Sequence, residues 1–254
     1  KRPKISSGRL GFAEVRLALH GVSKSYPGFA LQNVNFVLPR GYIMGLIGPN
    51  GAGKTTIIRL IMNLARPDAG RITVLGRDSQ ADEYALRRRI GYVGEYQPFY
   101  DELTVELTAE FVRSYYPDWD ERLFGEILER YGIERRKKVG VLSKGTRIKF
   151  AFALALAHRP ELLLLDEPTS GLDPVIRREL LTELKAFIRD ERKAVLFSSH
   201  NTQDIEGIAD YVTLIHDGRV VESAEKDELL ARYRETRGAM NIDEILLAVV
   251  KGGS

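Results

Sequence analysis

One short stretch constrains this chain more than any other: Gly48, Pro49, Asn50, Gly51, Ala52, Gly53, Lys54 and Thr55. Glycines at the first and sixth positions, followed by Lys-Thr, make up a phosphate-binding loop. A polyphosphate needs many inward-pointing N–H groups, and glycines let the backbone curl tightly enough to supply them. The run YIMGLIG (42–48) reads as a strand before the loop, and a helical segment through Asn63 follows it. The loop thus opens a helix whose N-terminus favours anions. Lys54 is expected to reach the β- and γ-phosphates, and the Thr55 hydroxyl, beside Thr56, to ligand Mg2+.

The same alternation of strand and helix recurs downstream. LLLLD (162–166) is an apolar strand ending in an acid. Beside a phosphate-binding loop, Asp166 is expected to hold Mg2+ through water and Glu167 to orient and deprotonate the attacking water. Taken alone, the acid pair could equally cap a helix. Asp173 and Pro174 supply an N-cap and a first-turn proline. AVLFSSH (194–200) is a further strand before a helix-prone segment, and YVTLIHDGRVVES (211–223) reads as a hairpin about Asp217-Gly218. This pattern predicts an α/β fold with a mostly parallel sheet. Between about 101 and 158 it changes. Phe124, Ile127, Leu128 and Tyr131 recur at helical spacing, which predicts a helical lobe inserted into the core.

Composition narrows the chemistry. With 254 residues and 44% hydrophobic content the chain can bury a sizeable core. The absence of cysteine excludes disulfides, thiolate metal sites and cysteine nucleophiles, and four histidines argue against a His-rich metal site. A net charge of +3 suits an anionic partner, or simply reflects many surface Arg and Lys. No run approaches the about 20 apolar residues of a membrane span, so the chain is expected to touch a membrane but not to cross one alone. The basic start, KRPKISSGR, lacks the apolar stretch of a signal peptide. Residues 1–9 are expected to be a flexible tail, 10–236 the folded domain and 237–254 a C-terminal extension.

Read together, the phosphate-binding loop, LSKGT (142–146), LLLLDEPTSGLDP (162–174) and SSH (198–200) resemble the nucleotide-binding subunit of an ATP-binding cassette transporter. The resemblance runs from about Leu17 to Glu222. It implies a P-loop NTPase core with a mostly parallel sheet, an N-terminal antiparallel β subdomain and an inserted helical subdomain. It also implies ATP and Mg2+ as ligands, and hydrolysis. Tyr26 falls where the family stacks an aromatic on adenine, Ser143 and Gly145 where it meets the γ-phosphate bound by the other protomer, and Asp173 where it touches the opposite subunit. His200 falls at the histidine that bonds the γ-phosphate and the catalytic carboxylate. Hairpin packing for Tyr26 and simple N-capping for Ser143 remain alternative readings. The implied partners are a second cassette, identical or different, and integral membrane permease subunits at the cytoplasmic face of the cell membrane, with no nucleic acid.

Two positions depart from the family pattern. Lys144 replaces the first of two signature glycines and is followed by Gly145, Thr146 and Arg147; Glu95 stands at the metal-facing position where glutamine is usual, with Gln97 two residues late. With YYPDWDE (115–121) these departures resemble small bacterial cassettes that export antibiotics or peptides. Glu95, Tyr96, Pro98, Phe99 and Tyr100 fall where the resemblance docks the permease, although Phe99 and Tyr100 could instead turn inward. Rival readings are a soluble cassette ATPase acting on nucleic acid, ribosomes or protein assembly, and a regulatory module without turnover. The chain lacks both long coiled-coil insertions and a second cassette, and it keeps Lys54, Asp166, Glu167 and His200.

Overall fold

The computed structural model describes residues 14–252 apart from Asp82, Ala239 and Met240; the expected tail, residues 1–9, lies outside the described residues. A long antiparallel hairpin comes first, β1 (Val15–Tyr26) and β2 (Phe29–Pro39). Its turn is Pro27-Gly28, where proline presets the first central residue and Gly28 takes the positive φ (81°) of the second. Next, β3 (Ile43–Ile47) starts a second sheet and is buried along its whole length. The phosphate-binding loop follows, then α1 (Lys54–Ile61). The helix stops two residues short of the expected Asn63, which lies in the left-handed region at φ 53° and ends the turn. The chain returns to the first sheet with β4 (Ala69–Val74) and the short β5 (Arg77–Asp78), giving the order β2-β1-β4-β5.

After the short α2 (Glu83–Arg87), β6 (Ile90–Val93) enters the second sheet and the helical segment begins. It comprises α3 (Val105–Arg113), α4 (Glu121–Tyr131) and α5 (Lys144–Ala157). Each starts on a side-chain cap: Thr104, Asp120 and Ser143 accept from the N–H groups of Leu107, Leu123 and Thr146. Phe124, Ile127 and Leu128 are buried with Val105, Ala109, Phe150 and Ala153 in a core of their own. At roughly 2 kcal/mol for each large apolar side chain withdrawn from water, this burial holds the three helices together.

The second sheet is completed by β7 (Leu162–Asp166), β8 (Ala194–Ser199), β9 (Tyr211–His216) and β10 (Arg219–Glu225), with α6 (Pro174–Phe187) after β7 and α7 (Thr202–Ile208) after β8. Its order is β10-β9-β3-β8-β7-β6; β10 is antiparallel to β9 and every other pair is parallel. LLLL and AVLF do not alternate because both faces of these strands are covered. Leu46, Leu164 and Leu196 pack with α1 and the first sheet, whereas Leu163, Leu165 and Phe197 pack with α5, α6 and α7. The chain closes with α8 (Lys226–Arg237) and α9 (Ile242–Gly252). Ile242 and Ile245, within the segment expected to be an extension, are fully buried in the core with Ile205 and Leu229.

Candidate active site

The carboxyl ends of three neighbouring parallel strands, β3, β8 and β7, converge, and this is where open parallel sheets place ligands. Register decides what meets there: Ile47 lies beside Ser199, and Asp166 beside Ser198. Gly48 follows β3, Glu167 follows β7 and His200 follows β8, so three separate sequence motifs become one cluster.

The phosphate-binding loop is braced from outside. A Cβ on Gly48 would lie 2.2 Å from the carbonyl oxygen of Ile215 in β9, so only glycine fits. The Asp217-Gly218 turn, with φ of 43° and 71°, has the backbone signs of a type I′ hairpin. Its Gly218 N–H donates to the Ala52 carbonyl at 3.2 Å, and its carbonyl accepts from Gln32 of β2 at 2.8 Å. Lys54 is buried; its Nζ donates to the Gly48 and Pro49 carbonyls at 2.7 and 3.1 Å and lies 3.1 Å from Glu167 Oε1. A buried ammonium requires partners of this kind. Thr55 is exposed and Thr56 half-buried, and neither hydroxyl has a hydrogen bond among the described residues.

The acids are held as tightly as the lysine. Ser198 Oγ donates to Asp166 Oδ1 at 2.7 Å and accepts the Glu167 N–H at 3.1 Å. Glu167 adopts φ 50°, a left-handed conformation uncommon outside glycine that costs on the order of 1 kcal/mol. That turn aims its side chain back over the loop. Oε2 accepts from the His200 backbone N–H at 3.3 Å and lies 2.7 Å from His200 Nδ1. In the tautomer with its proton on Nδ1, His200 donates to this oxygen. Oε1 is buried without a hydrogen bond and has only the ion pair to Lys54. A buried acceptor kept open in this way suits a water molecule. Asp166 and the Thr55 hydroxyl offer hard oxygen donors, and no trio of His, Asp and Glu that could hold a metal occurs among the described residues. A cation fitting this set is Mg2+, which ordinarily completes its shell with water and substrate phosphate.

The remaining expected residues lie elsewhere. Ser143 is exposed, and its Oγ caps α5 at 3.2 Å from the Thr146 N–H and 2.9 Å from Thr146 Oγ1. Gly145 is buried because α5 leans on α6; a Cβ there would lie 2.2 Å from Ile176 Cδ1. Asp173 caps α6 through the N–H groups of Val175 and Ile176 at 2.9 and 3.1 Å. Tyr26 stands exposed at the tip of β1, with Lys24 Nζ 5.6 Å over its ring. Glu95 is exposed and lines a cleft with Gln97, Phe99 and Lys144. Among the described residues, no hydrogen bond or ion pair joins these five to Lys54, Asp166 or Glu167.

The aromatic segment after β6 needs one correction. Tyr96 and Tyr100 are 81% and 71% exposed, but Phe99 is half-buried, its ring 5.2 Å from Phe150 inside the helical core. Packing, not a partner, covers that side chain. Sequence reasoning also missed Ser198 as the residue that positions both acids; its signal was a serine inside an otherwise apolar strand. A second buried group went unnoticed: Asp204 accepts from Thr169 Oγ1 at 2.7 Å and pairs with Arg177, tying the loop after β7 to α6 and α7.

Comparison with known proteins identifies a family. The family described as ABC transporter matches residues 31–170. The bacitracin transport ATP-binding protein BcrA of Bacillus licheniformis is 34% identical, over 85% of this chain and 70% of that one. The daunorubicin resistance ATP-binding protein DrrA3 of Streptomyces coeruleorubidus is 35% identical, over 92% and 74%. A solved ATP-binding subunit of an ABC transporter superposes with a TM-score of 0.84 at 30% identity, over 92% of this chain and 99% of that one.

Proposed function

The chain belongs to the ABC transporter family as an ATP-binding, ATP-hydrolysing subunit, and from that premise we propose that two such cassettes close around two Mg-ATP and drive a separate membrane permease. No helix among the described residues is long and apolar enough to cross a membrane. In this reading the permease is a separate polypeptide, with this chain docked on its cytoplasmic face. The direction we assign is export, supported by the likeness to the bacitracin and daunorubicin-resistance proteins. The cassette domain is taken as residues 10–236, with about 101–158 as the inserted lobe and 237–254 as a C-terminal extension, of which Ile242 and Ile245 are buried in the core.

One observation carries the two-cassette reading. Lys54, Glu167 and His200 are bonded to one another at the carboxyl ends of the strands and Asp166 joins them through Ser198, whereas the capped end of α5 at Ser143 is exposed and joined to none of them. A helix N-terminus favours an anion, and here the anion would be the nucleotide on a second copy. Asp173, beside that surface, would meet the facing loop, and Tyr26 would stack on adenine.

Within one cassette the steps follow from the contacts. Lys54 exchanges the Gly48 and Pro49 carbonyls for β- and γ-phosphate oxygens, which also frees Glu167 Oε1. Thr55, and Asp166 through water, would hold Mg2+, which would neutralise phosphate charge there. Glu167 takes the proton of the attacking water, whose oxygen bonds to the γ-phosphorus as the bond to the β-phosphate oxygen breaks and ADP leaves. His200 holds Oε2 in place, and a proton on Nε2 lets it donate to the γ-phosphate as well.

Sedimentation of the Glu167→Gln protein with ATP tests the sandwich. The expected result is a dimer, because shared nucleotide is not discharged, and Ser143→Arg in the same background should return it to monomer. A Glu167→Gln protein that stays monomeric at saturating ATP would sink the two-cassette reading.

A further inference from the structure

A cleft of about 380 Å3 separates the N-terminal turn of α5 from the segment that leaves β6 for the helical lobe. One strut already crosses it: Arg147 NH1 lies 2.8 Å from Asp101 Oδ1, and NH2 lies 3.4 Å from the Gln97 carbonyl. Lys144 is three residues earlier on α5 and so shares the face of Arg147. It lines the same cleft, and its Nζ rests beside Gly171, 2.8 Å from where a Cβ there would stand. Glu95 lines the cleft from the other wall. Neither the Glu95 carboxylate nor the Lys144 ammonium has a hydrogen bond or ion pair among the described residues.

Both are positions at which the sequence departs from its family pattern, and they differ in sign. A cation in the first turn of a helix is disfavoured by the helix dipole, and α5 has no acid in that turn to offset it. A carboxylate on the facing wall supplies the missing countercharge. We propose that Glu95 and Lys144 pair across this cleft as it narrows, forming a second strut beside Arg147–Asp101. The pair ties the end of α5 to the segment leaving β6, and it makes both residues positioning residues for the end of α5. The proposal rests on the reading that this helix end works at the nucleotide of a second cassette, and it takes the place of the metal-facing role that the family pattern implies for Glu95.

ATP turnover and hydrogen exchange over residues 95–101, measured on Glu95→Gln, Lys144→Gln and the double variant, test the pair. Both side chains are exposed, so folding should persist, and thermal unfolding verifies it. Exposed pairs are weak, so each single change should lower turnover about threefold and the double also about threefold, with the difference from wild type fading in high salt. Exchange at 95–101 should quicken equally in all three. A double loss near the product, about ninefold, or singles without effect, overturns the strut. So does a Glu95→Gln change that raises the Mg2+ requirement equally with and without Lys144, which would make Glu95 a metal-shell residue. If ATP-driven dimerisation of Glu167→Gln is intact when the strut fails, only the strut is lost.

Discussion

The two regions that the proposed function directs at phosphate are built in opposite ways. At the carboxyl ends of the strands Lys54, Asp166 and Glu167 are buried and bonded: Lys54 to two carbonyls and Glu167, Asp166 to Ser198, Glu167 to the more exposed His200. At the start of α5, Ser143 and Lys144 are exposed, and the side-chain hydrogen bonds there, among the described residues, are a cap and the Arg147 strut. A site that is complete in its own chain can be rigid before substrate arrives. A surface that, as proposed, leaves and rejoins a second cassette each cycle would not bury its charges in between. The far end of α5 repeats the lesson within one helix, since it ends on a buried His158 stacked on Tyr116 at 4.0 Å.

The sharpest way to break this comparison is at Glu167. Glu167→Gln should keep ATP binding but slow phosphate release by about 10²–10⁴-fold; near-normal release would show that the bonded cluster is structural. Next in size is the aromatic segment. Phe99→Ala should cost about 2 kcal/mol in urea unfolding, because it opens a gap against Phe150. Tyr100→Ala should stay within about 0.5 kcal/mol. Equal losses at the two positions would erase the distinction between core and surface there.

Acid probes the buried end of α5. Burial lowers the His158 pKa from its ordinary 6.5 to about 4, against a smaller upward pull from the Arg88 carbonyl. The unfolded chain therefore takes up a proton at a higher pH than the folded one. The stability this neutral ring supports is present above pH 6.5 and is lost as pH falls from 6.5 towards 4, by about 2 kcal/mol. His158→Gln should flatten unfolding against pH in that window, and an unchanged slope would place the acid sensitivity elsewhere. The smallest effect belongs to the exposed end, where Ser143→Ala should cost up to about 1 kcal/mol as a lost cap. A larger loss of stability would mean that Ser143 is more than a cap on an open surface.

What the sequence made legible was local. The loop Gly48–Thr55, the apolar run ending at Asp166, the Asp173-Pro174 helix start and the Asp217-Gly218 hairpin each declare themselves within a few residues, and the α/β fold follows from their alternation. Contacts between distant segments stayed hidden. Nothing near Ser198 in sequence says that it sits across from Asp166; strand register does that. Phe99 lies among exposed tyrosines in sequence, and only the packing of α5 draws it inward. Ile242 and Ile245 read as a tail because their partners are Ile205 and Leu229, well upstream.

Hairpin tips are ordinarily where a chain tolerates inserted residues. The tip at Asp217-Gly218 is an exception, because it is joined to Ala52 on one side and Gln32 on the other. A Cβ on Gly218 would approach the Ala30 carbonyl to 1.9 Å. Lengthening this turn by a single residue would shift the anchor of the phosphate-binding loop and that of the sheet carrying Tyr26 together. With Tyr26 on adenine and the loop on phosphate, as proposed above, one tight turn would gauge both ends of the nucleotide, and its length would be as fixed a part of the site as the identity of Lys54.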